Sequence, residues 1–247
     1  MARTATGSAL TEAHRQAQVT LSAAVIRDLA IAWRLLDPSR LDSSFREFLQ
    51  IAATIIASGH TRSAGAALAY LDAFRRVEGA SGPPPTLTLP PGLPLEQIAT
   101  SLLVVGPIAF KTALRSGKPP NEALQLALSQ TLGAGTRLAL AGGRETITTA
   151  HTVDTSLVAY ARVTDGNPCA FCAMLASRGA VYVTETSAGF QPHDACHCQP
   201  EPVYDNGNGA YQNPGRADEY RAFYNDVTSG KSGADAISAF RAAWRRR

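Results

Sequence analysis

The sequence predicts a mainly α-helical protein of the α+β class, with a small metal-binding module near its C terminus. Three observations lead to this class. Apolar residues recur at helical spacing over most of the first 160 residues, six prolines interrupt them between residues 79 and 96, and all four cysteines fall between Cys169 and Cys198. Hydrophobic residues make up 45% of the chain and charged residues 17%, so it can bury a core and is not globally disordered.

The N-terminal region, residues 1–78, is predicted to be helical. An Asp-Pro pair at Asp37 ends the first helix, because proline disfavours the α conformation of the residue before it. Ser44 followed by Glu47 has the spacing of a capping box and predicts the start of a second helix. A third helix is predicted over Ser63–Gly79. The apolar stripe of the first helix consists of Val25, Leu29, Ala32, Trp33 and Leu36.

Two segments follow. Residues 79–96 form a proline-rich linker that cannot be helical and is predicted to run extended over a surface. Residues 97–160 form a helical middle region. Its predicted helices are Leu95–Leu114, Asn121–Leu132 and Arg144–Tyr160, the last becoming extended toward the turn before Cys169.

The metal-binding module is predicted over residues 161–205. It has room for a short helix at Ala173–Arg178 and for a short β-hairpin, because residues 179–185 alternate β-branched and aromatic side chains like a strand. The last segment, residues 206–247, is a helical tail. Two helices are predicted in it, Arg216–Asn225 and Asp235–Arg247.

Targeting signals are not evident. The first residues lack the continuous apolar core of a secretory signal. The most apolar run, Ile98–Phe110, is too short to span a bilayer and is interrupted by Pro107, so we expect no membrane contact. In a reducing cytoplasm, clustered cysteines bind metal more often than they form disulfides.

The cysteine window has the spacing of a zinc site. Cys169-x2-Cys172 puts two thiolates on one turn, His193-x2-Cys196 repeats the spacing, and Cys198 lies two residues further on. Zinc needs four such ligands in a tetrahedron, and five candidates are present. The sequence therefore predicts structural zinc held by Cys169, Cys172, His193 and one or both of Cys196 and Cys198. His197 is a spectator or supports a ligand.

Other chemistry of the window stays open beside structural zinc. The cysteines could form a disulfide or a metal-free thiol cluster. Pro168-Cys169-x2-Cys172 matches half of the zinc deaminase signature, but none of the upstream histidines is followed two residues later by glutamate. A nuclease of the HNH type would use His193 or His197 as base, and a thiol oxidoreductase lacks its βαβ context. We expect no enzyme. A zinc-dependent enzyme acting on nucleic acid is the alternative.

The basic C-terminal end is a second candidate contact surface. Arg241, Arg245, Arg246 and Arg247 surround Trp244 and could grip phosphate. A solvated helix end explains the same residues, because cations are favourable at a helix C terminus. The net charge of +3 is well below that of a dedicated nucleic-acid binder.

The window and its flanks resemble the C-terminal cysteine/histidine module of the phage Mu F-like minor capsid (head morphogenesis) proteins, most closely those of actinobacterial phages. The shared pattern is a Cys-x2-Cys, a glycine-containing segment leading to a tyrosine, and a His-x2-Cys-x-Cys. It covers residues 158–204 closely and most of the chain loosely. The matching positions are Cys169, Cys172, Gly179, Tyr182, His193, Cys196 and Cys198.

This resemblance implies a structural protein of the virion. Its partners would be the phage portal protein, the major capsid protein or both, with weak contact to packaged DNA and no membrane. It would be oligomeric in the virion, at the capsid interior or the portal vertex, after assembly in the host cytoplasm. No protease or toxin domain, which some relatives carry, is recognisable in the chain.

Overall fold

The computed structural model describes residues 4–181, 192–194, 196–205 and 216–247. Within these ranges the protein is mainly α-helical with one small antiparallel sheet, which confirms the predicted fold class. The α-helices are α1 (Ala5–Ala32), α2 (Leu41–Val77), α3 (Leu95–Leu103), α4 (Ala109–Arg115), α5 (Pro120–Thr149), α6 (Ala170–Ala176), α7 (Ala217–Val227) and α8 (Gly233–Trp244). The strands are β1 (Leu157–Val163) and β2 (Gln199–Tyr204).

Helix α1 begins and ends as local sequence dictates. The hydroxyl of Thr4 accepts a hydrogen bond from the Gly7 backbone N–H at 2.8 Å, which caps the helix. Glu78, at the end of α2, accepts from the Thr4 hydroxyl at 2.8 Å and ties the two helix ends together. A 3₁₀ turn, Trp33–Leu35, closes the helix before the predicted Asp-Pro stop.

Helix α2 is one continuous helix of 37 residues, whereas the sequence predicted two. The predicted capping box is wrong, because the helix begins at Leu41, three residues before Ser44. Ser44 lies inside the first turn, and its hydroxyl bonds the Arg40 carbonyl at 3.0 Å and accepts from the Asp37 N–H at 3.0 Å. Its side chain therefore fastens the preceding loop instead of starting a helix.

The proline-rich linker carries no helix between residues 79 and 94, as predicted. Its start is fixed by Arg75 of α2, whose Nη2 donates to the carbonyl oxygens of Ser81 at 2.8 Å, Gly82 at 3.2 Å and Pro83 at 3.1 Å. The same guanidinium donates from Nε to the buried carboxylate of Asp154 at 2.9 Å. One buried arginine thus holds the linker against the end of α5.

Helices α3 and α4 form one apolar helical segment joined by a π-helical turn, Val104–Ile108, around Pro107. The segment Leu95–Arg115 has 21 residues and a mean hydropathy of 1.4, so by length and composition it could cross a membrane. It is longer than the run that the sequence singled out. One such segment among the described residues is weak evidence, since core helices of soluble proteins have the same properties, and a third of its most apolar stretch is buried.

Helix α5 extends far beyond its predicted end at Leu132, through four glycines. Three of these lie where other helices approach. An added Cβ would come within 2.4 Å of Leu29 at Gly135, within 2.2 Å of the His60 carbonyl oxygen at Gly142 and within 2.6 Å of the Ser63 hydroxyl oxygen at Gly143. The glycines therefore allow α1 and α2 to pack closely on α5, which outweighs their low helix propensity.

Strands β1 and β2 pair antiparallel, from Leu157 opposite Tyr204 to Val163 opposite Gln199. The predicted helix over Arg144–Tyr160 is therefore wrong beyond the 3₁₀ turn that ends at Thr152. The predicted strand at residues 179–185 falls largely on residues 182–185, which lie outside the described ranges. The observed sheet instead joins the segments that precede and follow the cysteine window.

Among the described residues, three apolar clusters lie outside the group of cysteines. The largest joins α1, α2, α3, α4 and α5 around side chains such as Phe48, Ile56 and Leu102. The second packs the C-terminal half of α2 against the sheet, with Phe74 beside Tyr204. The third joins α6 to the tail helices α7 and α8, which confirms both predicted tail helices to within three residues at each end. The division of the chain at residues 78, 96, 160 and 205 stays a prediction.

Candidate metal centre

The first ligand pair is positioned by the start of α6. Cys169 is the N-cap of this helix, and its sulfur accepts a hydrogen bond from the Cys172 backbone N–H at 3.4 Å. Because the two residues are three apart across a cap, both thiols lie at the same end of the helix. Cys169 is exposed and Cys172 is buried, so the pair runs from the surface into the module.

The second ligand group lies on the segment that enters β2. The Cys196 N–H donates to the His193 carbonyl at 3.1 Å, which forms a turn between these two candidate ligands. Two residues later Cys198 comes directly before β2. His193 is exposed, whereas Cys196 and Cys198 are buried, so this group also runs from the surface inward.

The structure brings all five predicted ligands together. The distance from the Cys169 sulfur to His193 Nε2 is 2.9 Å, from the Cys172 sulfur to the same nitrogen 3.5 Å, and from the Cys172 sulfur to the Cys196 sulfur 3.6 Å. The ligand atoms form two sets, and within each set all atoms lie within 4.8 Å of one another. One set is Cys169, Cys172 and His193, and the other is Cys172, Cys196 and Cys198. Cys172 belongs to both.

These distances suit a tetrahedral zinc ion. With Zn–S bonds of about 2.3 Å, two thiolates on one ion lie about 3.8 Å apart, close to the Cys172–Cys196 distance. The four thiols are free, and a soft set of four sulfurs and one imidazole is the donor chemistry that zinc prefers. We call Cys172, Cys196 and Cys198 the buried trio, and Cys169 and His193 the rim pair.

Hydrogen bonds within the buried trio shift its pKa values in opposite directions. Cys196 accepts from the thiols of Cys172 and Cys198, which lowers its pKa, with a further contribution from the Arg144 charge. The pKa of Cys172 is raised, chiefly by its hydrogen bonds to Cys196 and Cys198. The hydrogen bond to Cys172 lowers the pKa of Cys198, but the hydrogen bond to Cys196 and burial together raise it to about 12. Zinc binds cysteine as the thiolate, so a cation bound here would displace the thiol protons of the trio.

Two buried arginines approach the trio, and the sequence analysis missed both. Arg144, near the end of α5, donates from Nη2 to the Cys196 carbonyl at 2.5 Å and from Nε to the Cys198 carbonyl at 3.3 Å. Arg162, in β1, places Nη1 3.9 Å from the Cys172 sulfur. Burial lowers the pKa of Arg144 to about 10, and the cysteines oppose that shift, so the group stays charged at neutral pH. No local motif marks either arginine.

His197 lies between two of the ligands but points elsewhere. Its Nε2 is 3.1 Å from the Ser22 hydroxyl of α1. It also lines a cavity of about 310 Å³ together with Ile26, Leu128 and Leu132. His197 belongs to neither set of donors found among the described residues, and it contacts the helical body of the protein instead.

The upstream histidines lie away from the centre. His14 stacks on Tyr70 with ring centroids 4.6 Å apart, and its pKa is lowered to about 4 by burial. His60 is buried, with Nε2 3.9 Å from the Glu145 carboxylate, and His151 contacts the carbonyl of Thr148. Among the described residues, none of the three belongs to a set of converging metal donors.

The basic end of the chain is partly engaged in packing. Trp244 donates from its indole N–H to the Pro168 carbonyl at 3.0 Å, next to the first ligand. The guanidinium of Arg247 lies 5.2 Å from the rings of Trp244 and Phe223 and pairs with Glu219. These contacts favour a structural role for Trp244 and Arg247 over a phosphate grip.

A family model described as VG15 protein matches residues 6–227, which is most of the chain. No match was found among curated proteins. No match was found among solved structures.

Proposed function

Because the chain belongs to the VG15 protein family, which supports a phage-encoded protein, we propose that it is a structural minor capsid protein of a tailed bacteriophage. It takes part in head morphogenesis and carries one structural zinc ion. The Mu F-like type, indicated by the pattern from Cys169 to Cys198, is part of this proposal. The phage origin that the VG15 family suggests supports this Mu F-like assignment.

The observation that carries the structural role is the convergence of five donors where zinc needs four. Cys169, Cys172, His193, Cys196 and Cys198 can fill the coordination sphere without a water molecule, and a closed sphere leaves no position for substrate. A catalytic zinc keeps such a position open. We therefore propose that the protein is not an enzyme.

Zinc at this site would cross-link the module and hold it on the helical body. The segment that supplies His193, Cys196 and Cys198 also contacts the body. Asp194 pairs with Arg137 of α5 at 2.8 Å, and His197 bonds Ser22 of α1. Fixing the ligands also fixes these two contacts, so metal binding would stabilise the contact between module and body.

The proposed partners follow from the proposed role. The protein would bind the portal protein, the inner surface of the major capsid protein or both, be oligomeric in the virion, and assemble in the host cytoplasm without membrane contact. Exposed Arg245 and Arg246 at the C terminus could give a weak contact with packaged DNA. The proposed location is the capsid interior or the portal vertex.

The zinc part is tested on the purified full-length chain. Elemental analysis should find one zinc per chain. Trp244 is bonded to Pro168 beside the site, so its fluorescence should report metal removal. In a Trp33→Phe variant, which leaves Trp244 as the remaining tryptophan of the two, a chelator should shift the emission, and zinc should restore it. A metal-free chain with the same emission before and after chelator would refute the structural zinc.

The capsid part is tested in the phage that encodes the chain. Mass spectrometry should find the protein in gradient-purified virions, and a tagged copy should retain the portal or major capsid protein during assembly. Its absence from virions would overturn the capsid role whatever the zinc content. Metal-dependent cleavage or deamination of nucleic acid by the purified chain, lost in a His197→Ala variant, would support the enzyme instead.

A further inference from the structure

We propose that Arg144 and Arg162 are positioning residues of the metal centre: they balance its negative charge and hold it as a site in which all three cysteines of the buried trio bind the ion. This inference rests on the proposed structural zinc and specifies its ligand set. The sequence left open whether one or both of Cys196 and Cys198 bind the ion, and this inference assigns both as ligands. The rim pair then supplies the fourth ligand.

The guanidinium of Arg144 fixes the backbone of the second ligand group. Its Nη2 and Nε donate to the carbonyls of Cys196 and Cys198, at 2.5 and 3.3 Å, so one planar group spans two residues that are two apart. Side chains two apart on an extended segment point to the same side. Both thiols therefore face Cys172, and His197 between them faces Ser22 of α1.

Arg162 approaches the trio from the sheet. Its Nη1 lies 3.9 Å from the Cys172 sulfur, and its residue pairs across the sheet with Pro200, two residues after Cys198. Arg144 comes from α5 and Arg162 from β1, so the two charges reach the trio from different elements. The positions of both arginines are therefore set by α5 and β1 and not by the segment that carries His193, Cys196 and Cys198.

Charge balance favours a thiolate-rich centre at this place. Arg144 is 3% exposed and Arg162 is 2% exposed, and a buried charge is costly unless an opposite charge lies beside it. Zinc with three thiolates and one imidazole carries one net negative charge, and zinc with four thiolates carries two. The four-thiolate centre balances both guanidinium charges. The three-thiolate centre leaves one net positive charge, and two thiolates would leave two.

The rim pair then offers two donors for one position. The Cys169 sulfur and His193 Nε2 lie 2.9 Å apart, and both residues are exposed. Either donor can complete the tetrahedron above the buried trio. Removing one rim donor should therefore weaken metal binding much less than removing Cys198.

The test uses cobalt(II), which takes tetrahedral zinc sites and whose sulfur-to-metal absorption grows with the number of bound thiolates. Wild-type protein should show tetrahedral d–d bands and charge-transfer absorption of at least three thiolates. In Cys198→Ser this absorption should fall by about a quarter to a third, in proportion to one thiolate lost from four or three. The His193→Ala variant should keep the full sulfur-to-cobalt absorption of the wild-type protein.

The arginine variants decide the positioning role. Arg144→Met should lower cobalt affinity about tenfold or more, as for other groups that orient metal ligands, and should lose the thiolate absorption of one cysteine. Arg144→Lys should recover part of both, because it keeps the charge without the fork. The control is Arg76→Met, an exposed arginine of α2 whose ion pair is with Asp72 of the same helix, and it should change affinity less than threefold.

Each outcome has a separate meaning. Unchanged affinity and absorption in Arg144→Met would refute the role of the arginine, and unchanged absorption in Cys198→Ser would refute the ligand set. If Arg144→Met fails to fold by circular dichroism, Arg144→Lys and Arg162→Lys carry the test: normal cobalt affinity in both would refute the role. Wild-type protein that binds neither cobalt nor zinc would overturn the proposed structural zinc itself.

Discussion

Replacing Gly142 by alanine tests how closely α5 must approach α2 to place the metal centre. A Cβ at this position would lie 2.2 Å from the carbonyl oxygen of His60 and 3.0 Å from its carbonyl carbon. Ordinary contacts of a Cβ begin near 3.4 Å. The obstacle is backbone, which cannot rotate away as a side chain would, so the two helices must move apart by about 1 Å.

The expected loss of stability is the difference between two effects. Overpacking a core costs about 1–3 kcal/mol, and the rigid obstacle places Gly142→Ala at or above the top of that range. The higher helix propensity of alanine returns about 1 kcal/mol. We expect a net loss of about 2 kcal/mol, which for a chain of this size lowers the Tm by about 4–8 °C. Because Arg144 is two residues further along α5, we expect metal affinity to fall as well.

The measurement is the free energy of unfolding in urea, with zinc held in constant excess. Gly65→Ala is the matched control, because Gly65 is an exposed glycine inside α2 with nothing within 4 Å of an added Cβ. It should raise stability by about 0.5–1 kcal/mol. If Gly142→Ala were as stable as Gly65→Ala, the close approach of α5 to α2 would be refuted.

Two further predictions concern buried groups that titrate. Burial lowers the pKa of His14 from 6.5 to about 4, so the folded state favours the neutral ring. The free energy of unfolding is therefore highest above about pH 6.5 and falls by about 3 kcal/mol as the pH drops to 4. His14→Phe, which keeps a ring on Tyr70, should flatten the stability profile over this window in urea titrations, and an unchanged profile would contradict the assignment. The pKa of Glu201 is raised from 4.5 to about 6, chiefly by burial, so the folded state favours the protonated acid. This stabilisation is complete below pH 4.5, and about 2 kcal/mol is lost as the pH rises through 6. Glu201→Gln keeps an acceptor for the Thr11 hydroxyl, which lies 2.6 Å from the carboxylate, and should be the more stable protein at pH 7, with the difference vanishing near pH 4.5; a variant that is less stable at both pH values would count against the buried acid.

The parts of the fold that the sequence predicted are those with local causes. Helical spacing from Val25 onward predicted the C-terminal part of α1, and turn-spaced cysteines and a histidine predicted the five donors that the structure brings together. Helix α2 was predicted as two helices, one starting at the capping box of Ser44 and the other at Ser63. Both hydroxyls instead bond other elements: Ser44 bonds the preceding loop and Ser63 bonds Gln18 of α1.

The parts that the sequence did not predict depend on distant contacts. Strand β2 contains Pro200 and Pro202, which argue against a strand when read alone. Both prolines have the same parity, so their missing N–H groups fall on one edge, and Gln199, Glu201 and Val203 can bond β1. The two arginines of the metal centre likewise come from α5 and β1, and no spacing rule connects them to the cysteines.

The length of α2 has a mechanical consequence. Its 37 residues span about 55 Å, and it passes through the two larger apolar clusters, from Phe45 to Phe74. The described contacts of α7 and α8 instead run to the short stretch between Thr164 and Arg178. If the protein is pulled at its two termini, α7 and α8 should detach first at low force. The elements packed along α2 should then unfold together at a higher force.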